Sequence, residues 1–142
     1  MSLPHAPQLP AEALREVFLY PDPNRPADPR NQFSDASRLA FFGQKMAETV
    51  YLCIAGDRMR GKDAAQIQAY FNHTFLRFAE RTAQTYQWAH NIRYPQNVNG
   101  NAPQESRRLF FTYVGAVSVQ YPDAFSRLQG WMIALLEFYG AD

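Results

Sequence analysis

Arg38-Leu39-Ala40-Phe41-Phe42-Gly43-Gln44 is the stretch around which the rest of the chain organises. Ser34 or Asp35, just before it, can cap a helix by accepting from the free N–H groups of its first turn. Leu39, Phe42, Met46, Val50, Cys53 and Ile54 then recur at spacings of three and four. That period predicts a helix with one buried stripe, running to about residue 55. Gly56 is the expected stop, and residues 57–62 form a polar, basic connection.

The segments on either side have the same periodicity. Residues 1–10 contain Pro4, Pro7 and Pro10 and are expected to be a flexible or extended tail. Leu14, Val17 and Phe18 predict a short amphipathic helix after Pro10. Pro21, Pro23, Pro26 and Pro29 make residues 21–33 a semi-rigid loop, because proline lacks the N–H and clashes with the preceding turn. Downstream, Asp63 can cap a helix over residues 64–71. A break is expected at Asn72-His73, then a helix over 74–85 with Phe75, Phe78 and Ala79 inward. Residues 86–103 read as mixed, with a short turn at 86–90 and a loop containing Asn99-Gly100. Two helices follow, over about 104–119 and 123–139, separated by Pro122. The first is apolar on most faces (Leu109, Phe110, Val114, Val117) and is expected to lie centrally. No segment reads as a strand. The expected class is all-α, with one domain over residues 11–140.

Composition is permissive. A chain of 142 residues suits one domain and can bury roughly 68–70% of its unfolded surface. Eleven Phe, eight Tyr and two Trp supply a large aromatic core or an interface. The net charge of +1 gives no global attraction for nucleic acid. Twelve of the 14 basic residues are Arg, which suits bidentate pairing and stacking. Cys53 is the only cysteine, so no intrachain disulfide can form, which fits a reducing, intracellular setting. Between Leu52 and Ile54 it reads as a small buried hydrophobe. No segment approaches the roughly 18 apolar residues of a membrane span, and the N-terminus has no signal-peptide core.

The opening stretch also resembles the signature helix of the ribonuclease III domain, which reads roughly Glu-Arg-Leu-Glu-Phe-Leu-Gly-Asp. Two further segments are similar to that family. Asn72-His73-Thr74-Phe75-Leu76-Arg77-Phe78-Ala79 resembles its Gly-Asn-Thr-Leu-Ala-Glu-Leu-Ala helix start, and Phe111-Thr112-Tyr113-Val114-Gly115-Ala116-Val117 its Glu-Ala-Leu-Ile-Gly-Gly-Val segment. Trp131 and residues 135–139 are similar to the closing helix of small fungal ribonuclease III-like proteins. The resemblance implies a ribonuclease III-like helical fold, with Gly115-Ala116 allowing close helix packing. It also implies where magnesium-binding carboxylates would stand. Those positions hold Ser37, Ala40, Gln44, Arg108 and Phe111. Two-metal phosphodiester hydrolysis needs several oxygen ligands, and an Arg in a ligand position repels the cation. Shifting the register by three recovers Glu105 but sets it with Arg108. The expectation is therefore a non-enzymatic domain with no metal and no cofactor.

Partners follow from the same resemblance. Active relatives dimerise through the signature helix, with an aromatic residue inserted into the partner; Phe41 holds that position, and Phe42 follows it. A homodimer, or a heterodimer with a related ribonuclease III domain, is expected. Arg58, Arg60, Lys62, Arg107 and Arg108 are the candidates for contact with double-stranded or structured RNA. Two settings suit such a module: double-stranded RNA processing in the cytoplasm or nucleus, or a ribonucleoprotein such as the mitochondrial large ribosomal subunit. The competing classes are a divergent metal-dependent double-stranded RNA endonuclease with relocated acids, and a plain helical interaction domain. His5, His73 and His90 share no metal-ligand spacing, and His73 reads as a cap or surface residue.

Overall fold

The computed structural model describes residues 2–22 and 24–140. Met1 and Pro23, named above in the tail and the proline loop, lie outside the described residues. The architecture is all-α: α1 (Ala11–Val17), α2 (Ala36–Arg58), α3 (Ala64–Thr85), α4 (Pro103–Gln120) and α5 (Ala124–Phe138), with a 3₁₀ turn at Trp88–Asn91. No strand occurs among the described residues.

Helix ends follow local chemistry. Asp35 caps α2, its carboxylate accepting from Ser37 N at 3.0 Å. Asp63 and Gln66 form a reciprocal capping box at the start of α3. Pro103 occupies the first turn of α4, where its missing N–H costs nothing. Two expected boundaries are corrected. Gly56 does not end α2; the helix runs to Arg58, and the chain turns at Gly61, whose φ of +88° suits glycine. Asn72-His73 is no break, because nothing there removes a helical hydrogen bond, and α3 continues through it with Thr74 Oγ1 donating to the Tyr70 carbonyl.

Helix α4 is central, and all nine residues from Leu109 to Val117 are buried, as is Ser106. It packs most extensively on α2. A β-carbon placed on Gly43 would lie 1.7 Å from the Phe111 carbonyl oxygen, and one on Gly115 would lie 1.9 Å from that of Leu39. The backbones touch at two points that run in opposite senses, so α2 and α4 are antiparallel. The close packing expected at Gly115 is thus present. The buried face of α2 is Ala36, Leu39, Gly43, Ala47, Val50 and Ile54, with Tyr51 and Ala55 beside it. Phe42 and Cys53, expected in the buried stripe, are exposed, because the stripe passes through the small residues that let α4 approach.

Aromatic rings fill the other side of α4. Trp88 stacks on Tyr113 with centroids 4.3 Å apart, and Phe110 stacks on Trp131 at 6.1 Å. Where a tail was expected, residues 2–10 run extended, as their prolines require. Leu3, Ala6 and Leu9 pack on the core. Three phenols hold this extended segment: Tyr86 donates to the Pro4 carbonyl, Tyr113 to Pro7 at 2.6 Å and Tyr121 to Gln8 at 2.6 Å. Burial pushes the Tyr113 hydroxyl up from 10.0 to about 12, with Tyr86 and Tyr121 adding to it. The folded chain keeps this proton where the unfolded chain has lost it, so the contribution is complete below pH 10 and declines toward about 12. Tyr113→Phe is expected to cost about 1 kcal/mol and to speed protease cleavage within residues 3–9. Urea denaturation and timed proteolysis check both.

Candidate functional site

Two faces of α2 carry the residues singled out in the sequence. One lies toward α4 and holds the positions where the resemblance would place metal ligands. Gly43 touches Phe111, so the neighbouring Ala40 and Gln44 on α2 stand close to the α4 segment that bears Arg108 and Phe111. Ser37 is exposed in the first turn of α2. Phe111 is buried, with its ring 6.1 Å from Phe75, and so belongs to the core. Gln44 Nε2 donates to Glu48 Oε2 at 3.2 Å.

Arg108 has turned its end of this face into an ion-pair knot. Its Nε donates to Glu105 Oε1 at 2.7 Å and its Nη2 to Oε2 at 2.6 Å. Tyr94 Oη donates to the same Oε2 at 2.5 Å. The Glu105 side chain is only 11% exposed, so this bidentate pair is screened little by solvent. Burial first, and then the bond to Glu105, holds the Tyr94 hydroxyl well above its ordinary range. Arg108 Nη1 is buried without a hydrogen-bond partner among the described residues. Arg107 crosses to α3, its Nε donating to Glu80 Oε1 at 2.5 Å. Both arginines are therefore paired with acids. Sequence reasoning missed Tyr94 and Glu80, which are distant in the chain and carry no local pattern. Among the described residues, no group of three or more His, Cys, Asp or Glu is arranged to hold a metal ion.

The basic connection is separate. Arg58, Arg60 and Lys62 are all exposed. Arg60 makes only a loose pair with Asp57, at 3.4 Å between exposed groups, a contact worth little in water. Arg58 lies near enough to Tyr51 to favour its ionised form. Burial is the larger effect and pushes that hydroxyl up to about 12.

The other face of α2 is apolar and open. Phe41 is 60% exposed and Phe42 40%. Their rings lie 6.0 Å apart. The Arg38 guanidinium sits 4.9 Å from the Phe42 ring centre. Phe42, Met46, Val119 and Phe125 line an open groove of about 580 Å³. Contiguous exposed apolar surface of this kind marks interaction sites more often than isolated exposed side chains do. Phe125, on α5, had no place in the sequence-based site, yet it is 36% exposed on this groove.

No family model, curated protein or solved structure matches the chain. Among the described residues, no helix is long and apolar enough to cross a membrane.

Proposed function

We propose that the chain is a catalytically inactive ribonuclease III-like domain, working as a dimeric interaction module associated with double-stranded or structured RNA. The observation that supports this most is the fate of the five ligand positions. A methyl, a guanidinium and a phenyl ring supply no ligand, and the hydroxyl and amide supply only neutral oxygens, so the converging carboxylates a two-metal centre needs are missing. Glu105, the acid a relocated site would use, is occupied by Arg108 and Tyr94. A cation entering there would have to displace a buried, bidentate guanidinium, which direct repulsion opposes. The exposed pair Phe41 and Phe42 supports the dimer, and the exposed Arg58, Arg60 and Lys62 support contact with phosphates.

The test is a titration against labelled double-stranded RNA with magnesium, reading binding and strand integrity on the same samples. Intact RNA is expected at every time point. If the three connection cations each neutralise one phosphate, affinity should fall about 40-fold between roughly 50 and 200 mM salt. Metal-dependent cutting would overturn the non-enzymatic reading. Absence of both binding and cutting would leave a protein-interaction module without RNA.

A further inference from the structure

A second groove lies away from the degenerate positions. His73, Arg77 and Arg81 stand on α3 at four-residue steps, on one face, each about 6 Å further along the axis. All three are exposed. Arg25, Arg60, Arg107, Arg108 and Arg127 each pair with a carboxylate, but Arg77 and Arg81 form no ion pair among the described residues. The one acid in that stretch of α3, Glu80, is taken by Arg107. His73 and the two arginines rim a groove of about 260 Å³ between α3 and α5. Buried Tyr51 and Phe78 form its floor, and the half-buried Tyr70 and Tyr139 line it with Thr74 and Leu136. Among the described residues, no Asp or Glu lines it. The Arg81 guanidinium lies 4.1 Å from the centre of the Tyr139 ring, so a delocalised cation and an aromatic face are presented together.

We propose that this groove binds a single nucleotide, with its phosphate on Arg77 and Arg81 and its base against the tyrosine rings. Unpaired arginines recognise phosphate oxygens by paired N–H donors. Aromatic rings accept any base by stacking. An acidic peptide would use the cations and leave the rings idle. The volume is just below the roughly 300–1,000 Å³ of pockets that enclose drug-sized ligands and suits one nucleotide unit. Free mononucleotide and the phosphorylated end of a single strand share this chemistry. The site stands whether or not the ribonuclease III-like reading does, since it uses none of the degenerate positions and none of Arg58, Arg60 and Lys62.

Calorimetric titration of the full chain with AMP, ribose 5-phosphate, adenosine and a 5′-phosphorylated single-stranded oligoribonucleotide tests it. AMP is expected to bind at least tenfold tighter than ribose 5-phosphate or adenosine. The double variant Arg77→Gln/Arg81→Gln should lose at least tenfold in AMP affinity with an unchanged melting curve, since both side chains are exposed. An oligonucleotide tenfold tighter than AMP would make a strand end the source; equal affinities would make it the free nucleotide. Backbone amide resonances of His73, Arg77, Arg81 and Tyr139 should shift with AMP. Ribose 5-phosphate binding as tightly as AMP, an unaffected double variant, shifts confined to other residues, or no saturable binding of AMP or the oligonucleotide would each overturn the proposal.

Discussion

Gly43→Ala is expected to unfold the domain or to strip it of most of its stability. The added β-carbon would lie 1.7 Å from the Phe111 carbonyl oxygen and 2.6 Å from the Gly115 nitrogen. Neither atom belongs to a side chain that could rotate away. Relief requires α2 and α4 to separate, and α4 is buried on all sides along its middle. Ordinary overpacking costs about 1–3 kcal/mol, because neighbouring side chains adjust. Here the obstacle is helical backbone on both sides, so a loss of about 4 kcal/mol or more is expected. Typical domains have only about 5–15 kcal/mol in total. The helix-propensity gain of alanine, about 1 kcal/mol, does not offset that. Gly56→Ala is the internal control. It lies in the same helix, with nothing within 4 Å of the added atom, and should stabilise by about 0.5–1 kcal/mol. Urea midpoints of both variants decide the matter. A wild-type midpoint for Gly43→Ala would mean that α2 and α4 do not meet as described.

The same glycine shows what the sequence made legible. The helices were readable because Leu109, Phe110, Val114 and Val117, or Leu128, Met132, Leu135 and Leu136, recur at helical spacing and are all buried. Caps were readable where a short carboxylate side chain precedes the helix, as at Asp35 and Asp63. The face of α2 was misread. Periodicity weights large apolar residues, and it drew the stripe through Phe42, Met46 and Cys53. The contact runs instead through Ala36, Gly43 and Ala47, residues whose contribution is the room they leave. Periodicity set Phe42 in the core while the resemblance set it beside Phe41 on an outer face, and it is 40% exposed. The pair of Arg108 with Glu105 is local, three residues apart on α4, and could be read from spacing. Glu80, which pairs with Arg107, and Tyr94, which donates to Glu105, are brought in by tertiary packing. The groove on α3 had a local signal in the steps from His73 to Arg81, but only the fold brings Tyr51 and Tyr139 to it.

Phe41→Asp is expected to convert the proposed dimer to monomers of 16.3 kDa without lowering the stability of the isolated fold. Phe41 is the most exposed of the large hydrophobic side chains, at 60%. Removing it from the monomer leaves no cavity, so the transfer and cavity costs of core truncation do not arise. Across an interface the balance reverses. An aromatic anchor closed off from water typically contributes 2 kcal/mol or more, about 30-fold or more in the dissociation constant. A carboxylate in its place must also shed its hydration against Phe42 and an apolar groove lined by Met46, Val119 and Phe125, a cost that the neighbouring cations Arg38 and Lys45 offset only in part. Both effects act in the same direction, so the shift in dissociation constant should exceed that of Phe41→Ala. Sedimentation equilibrium of the wild type and both variants over a concentration series measures it. An unchanged dimer mass for Phe41→Asp would remove Phe41 as an anchor. A wild-type chain that stays monomeric at every concentration would exclude the homodimer.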